Sequence, residues 1–394
     1  MSSHDVIVIG AGVVGASVAW HLAALGARRV LVLDRGQVGA GTSAQSSGIL
    51  RTHYSVPENV ALARRSWTVF ERFAAYLGDD EASAGLVRCG YLIAAPDGPK
   101  RDALQAALAG QRAQGITVNL LDAQQAASLL PICRFDDAAL IGHEPEAGFA
   151  DAYLVATGFA RSARRLGVQI REGVEVQGLC LEGGRVAGVV TPQGRFTAPV
   201  VVSTQNIWAC EIERWTGIAL PVAAERHKVL ALQGPDPYTR EMPVYKDLGS
   251  PGMLYCRSYG GTQMLVSEGV AGQALPGPDN GPGDIGMDDV LHIAEQVSAR
   301  FPSYATAGLA SSWTGVYDVT PDWNPVLGAL PELPGLVLGC GFSGHGFKLS
   351  PAVGRVLAQC ALGLPTDVSL APYALERFRS GALLVGRYGV GAVS

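Results

Sequence analysis

The chain has 394 residues, 48% of them hydrophobic and 16% charged, which is enough for two domains around a sizeable core and excludes a disordered chain. The net charge is −5 and basic residues come only in pairs such as Arg64-Arg65 and Arg164-Arg165, so there is no nucleic-acid-binding footprint. Seven scattered cysteines without a C-x-x-C spacing fit reduced thiols and a cytoplasmic location.

Val6-Ile7-Val8-Ile9 is an unbroken apolar run and reads as a buried parallel strand. Gly10, Gly12 and Gly15 follow as G-x-G-x-x-G. The first glycine permits a sharp turn, the second lets backbone approach a pyrophosphate, and the third lets helix and strand pack closely. A helix should start near Val13 and end at Gly26, with its free N–H groups and dipole suited to a diphosphate. The second strand, Val30 to Leu33, delivers Asp34, whose carboxylate could accept hydrogen bonds from a ribose, with Arg35 beside it. The apolar run 6–27 is neither a signal peptide nor a membrane span: it lacks a basic leader, carries His21 and is interrupted by glycines.

The loop 39–48 is small and hydroxyl-rich, with Thr42, Ser43 and Gln45, as a segment lying along phosphates and a ring system would be. Arg51 and His53 come next, then an amphipathic helix over 57–77. At 86 the texture changes to a strand (86–94), a helix (100–114) and a short helix capped by Asp122 and stopped by Pro131. Residues 152–166 are helical, and strands are expected near 169–176, 185–191 and 200–203. A second block of foreign texture, 220–311, carries strands near 228–233, 252–257 and 262–266, a Gly/Pro-rich loop (271–286) and a helix (288–300). The tail returns to the first texture with a strand at 335–339 and a helix at 351–361.

Between these last two lies a second cluster, Gly339-Cys340-Gly341-Phe342-Ser343-Gly344. It does not read as a second dinucleotide site, because the next helix is expected only at Ser350 (N-cap) and Pro351, and no strand ending in an acid follows. Gly344, His345, Gly346, Phe347 and Lys348 are instead expected in a loop beyond the carboxyl end of a strand, where ligands of open sheets sit. Lys348 there is either a snorkelling surface lysine or an ammonium facing a substrate carboxylate. Arg51 is either in a surface ion pair or a bidentate carboxylate ligand. His53 and His345 could move protons near neutral pH or be satisfied core residues.

Three stretches carry a resemblance: 6–15 with Asp34; Tyr317-Asp318-Val319-Thr320-Pro321-Asp322; and Gly341 to Lys348. On these the chain resembles the FAD-dependent D-amino-acid-oxidase superfamily, in the branch with sarcosine oxidase and dimethylglycine dehydrogenase, over roughly residues 5–378. The resemblance implies an α/β fold in which a Rossmann-type FAD-binding domain (1–85, 143–214, 314–380) is interrupted by an α+β substrate domain with a mainly antiparallel sheet (86–142, 215–313), followed by a tail (381–394). It implies that Gly10, Gly12, Gly15, Asp34 and Arg35 hold the ADP half of FAD and that Val176 meets adenine. Thr42, Ser43 and Gln45 would run along the pyrophosphate and flavin, and Gly341 with 344–348 would meet the pyrimidine edge. Arg51 and Lys348 would bind the substrate carboxylate, Tyr317 would be the active-site tyrosine, and His53, Tyr255 or His345 would take the amine proton.

The implied activity is oxidation of the C–N bond of a small amino acid or secondary (N-methyl or cyclic) amine, by hydride transfer to flavin N5, giving an imine. O2 or another electron acceptor would reoxidise the flavin. The alternatives are an oxidase of a primary amino acid or biosynthetic intermediate, and a flavin subunit of a multi-subunit dehydrogenase, so a second copy or a partner subunit stays open. No metal is implied. Relatives that bind FAD covalently use a Cys where this chain has Gly315, or a His where it has Gln45, so FAD is expected to be non-covalent. The oxidases also place a lysine over the flavin; the matching stretch, 252–266, has Arg257 and no lysine, which leaves the acceptor undecided.

Overall fold

Val6–Ile9 is buried along its whole length at the centre of a six-stranded sheet, as its apolar run requires. The structure, a computed structural model, describes residues 3–234, 241–260, 262–280 and 283–386. The sheet order is Val326–Ala329, Leu336–Cys340, Val200–Ser203, Val6–Ile9, Val30–Leu33, Gln169–Arg171. Neighbours are parallel except at the Val326–Ala329 edge. Val6 pairs with both Val30 and Val200, so Gly10 and Asp34 emerge together at the carboxyl end.

Helix Val13–Ala24 then runs back across the sheet, packed against helices Ala152–Arg165 and Gly346–Ala361. Burial on nearly every side explains why it is apolar almost all round. Its crossing with Gly346–Ala361 is close: a Cβ on Gly354 would sit 2.1 Å from Ser17 Oγ. His21 is a satisfied core residue, with Nδ1 2.7 Å from Ser17 O and Nε2 2.8 Å from the Tyr76 hydroxyl; burial lowers its pKa to about 3.

The second sheet has nine mainly antiparallel strands, among them Tyr91–Ala95, Leu140–Glu144, Ala223–Gln233, Val244–Asp247, Tyr255–Tyr259, Gln263–Ser267 and Gly308–Val319. Period-two alternation divides its faces. Leu92, Leu230, Tyr245, Cys256, Met264 and Val266 pack with residues of helix Met287–Arg300 into one core. The register puts Tyr91, Glu144, Lys246, Tyr255, His227 and Tyr317 on the opposite face.

The expected domain boundaries at 142/143 and 313/314 fall within strands Leu140–Glu144 and Gly308–Val319 of the large sheet, the latter paired with Ala223–Gln233 along nearly its full length. Other expectations are corrected. The single helix over 57–77 is two, Pro57–Glu71 and Phe73–Leu77, broken at Arg72. The loop 271–286 contains the short strand Gln273–Ala274, and its residues 281–282 lie outside the described residues, as do 387–394 of the tail. Among the described residues no helix is long and apolar enough to cross a membrane, and no group of His, Cys, Asp or Glu could hold a metal ion.

Candidate active site

Contacts that only glycine allows close the first turn. A Cβ on Gly15 would stand 1.9 Å from Gly10 O, and one on Gly10, at φ +96°, would stand 2.7 Å from Thr204 O. Ser43 Oγ accepts a hydrogen bond from Val13 N (3.0 Å) at the start of helix Val13–Ala24. Asp34 accepts from Ala11 N (2.6 Å) and Gly36 N (2.7 Å). Gly10, Gly12, Asp34, Gly36, Ser43 and Thr204 line a cavity of about 550 Å³ together with Arg35, Thr42, Val176 and Asn206. Arg35 lies over the Trp208 ring (4.6 Å) and pairs with exposed Asp279 (3.5 Å) at the cavity's edge. Asn206 Oδ1 is buried without a hydrogen-bond partner.

A narrower cavity of about 100 Å³ shares Gly12, Thr42, Ser43, Thr204 and Asn206 with the first. It runs on to Gln45, Gly315, Tyr317, Gly344, Gly346, Phe347 and Lys348, so both glycine clusters border one continuous cleft. Gln45 Oε1 accepts from Val316 N (3.0 Å), which ties the first glycine loop to the large sheet. Arg257 makes a second tie, its Nε donating to Ser47 O (2.6 Å) and its guanidinium lying over Phe149 (4.4 Å). No cysteine or histidine lines the narrow cavity among the described residues.

At the second cluster Gly341 has φ +71° and donates its N–H to Asp318 Oδ2 (2.6 Å), while Gly344 has φ +80° and faces the Tyr317 ring, 2.5 Å from where a Cβ would be. Burial lifts the Asp318 pKa to about 7, against the backbone N–H groups that favour its charge. The helix expected from Pro351 begins instead at Gly346, after His345 as N-cap. Pro351 has no N–H for the Phe347 carbonyl, and Ser350 Oγ donates to that carbonyl instead (2.8 Å). Lys348 therefore stands in the first helical turn rather than a loop, with Nζ folded back 3.3 Å from Gly344 O.

Lys348 is only 8% exposed, which removes the snorkelling alternative. Arg51, also buried, lies over Tyr54 (4.8 Å) and Tyr91 (5.8 Å), and its Nη1 has no acceptor. Among the described residues no ion pair includes either cation, so Arg51 is not in a surface pair. Burial, then the Arg51 charge, holds Lys348 well below the ordinary lysine range. His53 Nδ1 lies 2.7 Å from Gln111 Oε1, and burial followed by Arg51 lowers its pKa to about 3. His345 is pushed well below its ordinary value by burial, Lys348 and Arg51, and both its ring nitrogens lack partners. Burial beside cations disfavours the imidazolium form of both histidines, which favours the core alternative over a proton carrier. Tyr317 stacks on His227 (3.9 Å), near half-buried Tyr255.

Two buried residues escaped the sequence analysis. Glu144 Oε1 accepts from both Thr52 N and Thr52 Oγ1 at 2.7 Å. Lys246 Nζ donates to Met253 O (2.8 Å) and lies 5.6 Å from the Tyr255 ring centre. Its signal was a lone lysine in the alternating run Val244-Tyr245-Lys246-Asp247, one strand before the stretch searched for a lysine.

A parallel sheet with fingerprint glycines and an acid after its second strand, with an antiparallel sheet across a shared cleft, defines the class of dinucleotide-dependent oxidoreductases. The glycine turn, the long cavity and the unpartnered Asn206 oxygen fit FAD. The family described as DAO, FAD dependent oxidoreductase, matches residues 5–360, and the chain belongs to it. It is 28% identical to sarcosine oxidase subunit beta of Arthrobacter sp over 100% of this chain and 95% of that one. It is 26% identical to 4-methylaminobutanoate oxidase (formaldehyde-forming) of Paenarthrobacter nicotinovorans over 96% of this chain, but spans only 47% of that protein's length. The crystal structure of L-proline dehydrogenase from P. horikoshii shares the fold, with a TM-score of 0.88, 24% identity and coverage of 96% of this chain and 99% of that one.

Proposed function

We propose that the enzyme oxidises the C–N bond of a small amine that carries a carboxylate. One observation carries this: Arg51 and Lys348 are buried, Lys348 in the lining of the cleft, and among the described residues neither forms an ion pair with a carboxylate. Uncompensated buried cations are unfavourable by several kcal/mol, so the site is built for an anion that arrives with the substrate. The family and the named relatives, which act on sarcosine or 4-methylaminobutanoate, supply the amine.

FAD, when bound, accepts the hydride. The protein's part is to position and to exclude water. Gly10, Gly12, Gly15, Asp34 and the loop with Thr42 and Ser43 would hold the ADP half and pyrophosphate. The N–H groups at the start of helix Gly346–Ala361 would face the pyrimidine edge, where negative charge grows on reduction. Arg51 and Lys348 would grip the carboxylate, and Tyr317, pinned between His227 and Gly344, would form a wall of the pocket. The flavin is non-covalent in this reading, since Gln45 and Gly315 occupy the attachment positions and offer no nucleophile.

Anaerobic addition of N-methyl, cyclic and primary amino acids to the purified yellow protein tests the reaction. Bleaching of the flavin by at least one of them is expected, and bleaching by none overturns the reading. Peroxide and dye-reduction assays then identify the acceptor. A second reading, an FAD subunit within a larger assembly, is favoured by the 95% coverage of a protein named as a β subunit. Turnover by a chain that elutes as a monomer in gel filtration would exclude it.

A further inference from the structure

We propose that the preferred substrate carries a second anionic group and that Lys246 receives it, so the enzyme favours dicarboxylic amines. This rests on the function proposed above. Three buried cations, Arg51, Lys246 and Lys348, belong to this region, and Arg51 is the charged neighbour common to both lysines. Glu144 is a buried acid that acts on Arg51 without an ion pair between them, so one substrate carboxylate still leaves a cation over.

Among the described residues no acid forms an ion pair with Lys246, and Asp247 acts on it only from a distance. Glu144, a buried acid on the same sheet face, has its Oε1 occupied by Thr52 N and Oγ1. Asp247, next in sequence, points to the other face by strand alternation and pairs there with Arg300 (2.9 Å). Lys246 Nζ has one partner, the Met253 carbonyl, out of the three donors an ammonium offers. Nζ packs against Gly269, where a Cβ would fall 1.8 Å from it, so only glycine there admits the ammonium. Arg51, with Nη1 unpaired, is placed to contact both anionic groups of a ligand, one shared with Lys348 and one with Lys246.

The test uses the FAD-loaded enzyme and two unreactive acids in which sulfur replaces the amine nitrogen. Thiodiacetate has two carboxylates and (methylthio)acetate has one. Binding is read from the perturbation of the flavin absorbance. Thiodiacetate is expected to bind at least about tenfold more tightly, as one added charge-assisted contact allows. Lys246→Met should bring that preference close to unity, and Lys246→Arg should retain most of it. Equal binding of both acids to the wild type, or a preference that survives in Lys246→Met, overturns the inference and leaves the proposed function standing. If neither acid perturbs the flavin, the carboxylate site fails and takes both proposals with it.

Discussion

Lys348 and Arg51 are buried together, and among the described residues neither forms an ion pair, although the buried Glu144 carboxylate acts on Arg51 from beyond ion-pair distance. A substrate carboxylate would relieve their repulsion, so removing one cation should weaken substrate binding and leave FAD in place. Lys348→Met is expected to lower kcat/KM by about 10- to 150-fold, the loss of one charge-assisted contact of about 1.5–3 kcal/mol. Unchanged kinetics with carboxylate amines would remove Lys348 from the site. Lys246 gives a pH signature. Burial, then Arg51, lowers its pKa to about 7; Lys100 acts in the same sense, Asp247 and Cys256 oppose it, and His53 beside it is neutral. Its cation is present below pH 7 and lost above. The preference for thiodiacetate over (methylthio)acetate should therefore be larger at pH about 6 than at about 8.5, and a ratio that ignores pH would argue against Lys246 as the anion ligand.

At the scale of elements, both glycine clusters work by excluding side chains where backbone must come close. Gly15→Ala places a Cβ 1.9 Å from the Gly10 carbonyl, so strand and helix must separate at the turn. The variant should lose FAD affinity by at least roughly tenfold, about 1.4 kcal/mol, read from the flavin-to-protein absorbance ratio after dialysis. Retention equal to the wild type would mean that this turn does not hold the nucleotide. The loop–strand contact between Gln45 and Val316 leads to a separate expectation. Acid precipitation should release the flavin into the supernatant, and a yellow pellet would show a covalent link.

Over the whole molecule, the last described segment is bound to the FAD-binding sheet's neighbourhood by a buried ion pair. Arg377 Nε and Nη2 contact Asp322 Oδ2 and Oδ1 at 2.7 and 3.0 Å, and Arg377 also donates to Asn324 O and Tyr373 O. Asp322, part of one of the stretches that carried the family resemblance, thus has a structural role. Arg377→Ala would leave its carboxylate buried and unpaired, and is expected to destabilise the fold by about 3–5 kcal/mol. Denaturant unfolding of the flavin-loaded protein checks this; a loss below about 1 kcal/mol would mean that water or another donor replaces the guanidinium.

Much of the site was legible where short-range rules govern. The first strand, glycine turn, helix and Asp34 follow one another within one βαβ unit, so spacing alone gave their arrangement. The second cluster was found by its glycines but its helix was begun too late, because a proline is locally a start signal and only the Ser350 hydroxyl on the Phe347 carbonyl lets the helix pass through it. Lys246 and Glu144 were missed because their burial arises from long-range strand pairing, Lys246 opposite Ile93 and Glu144 opposite Tyr91. The chain by itself determined the glycine turn and the helix start that a dinucleotide's diphosphate would need, since these are local backbone geometry. Only the tertiary structure decided which charges are left without partners in the cleft, because whether a cation is neutralised depends on which distant segments fold against it.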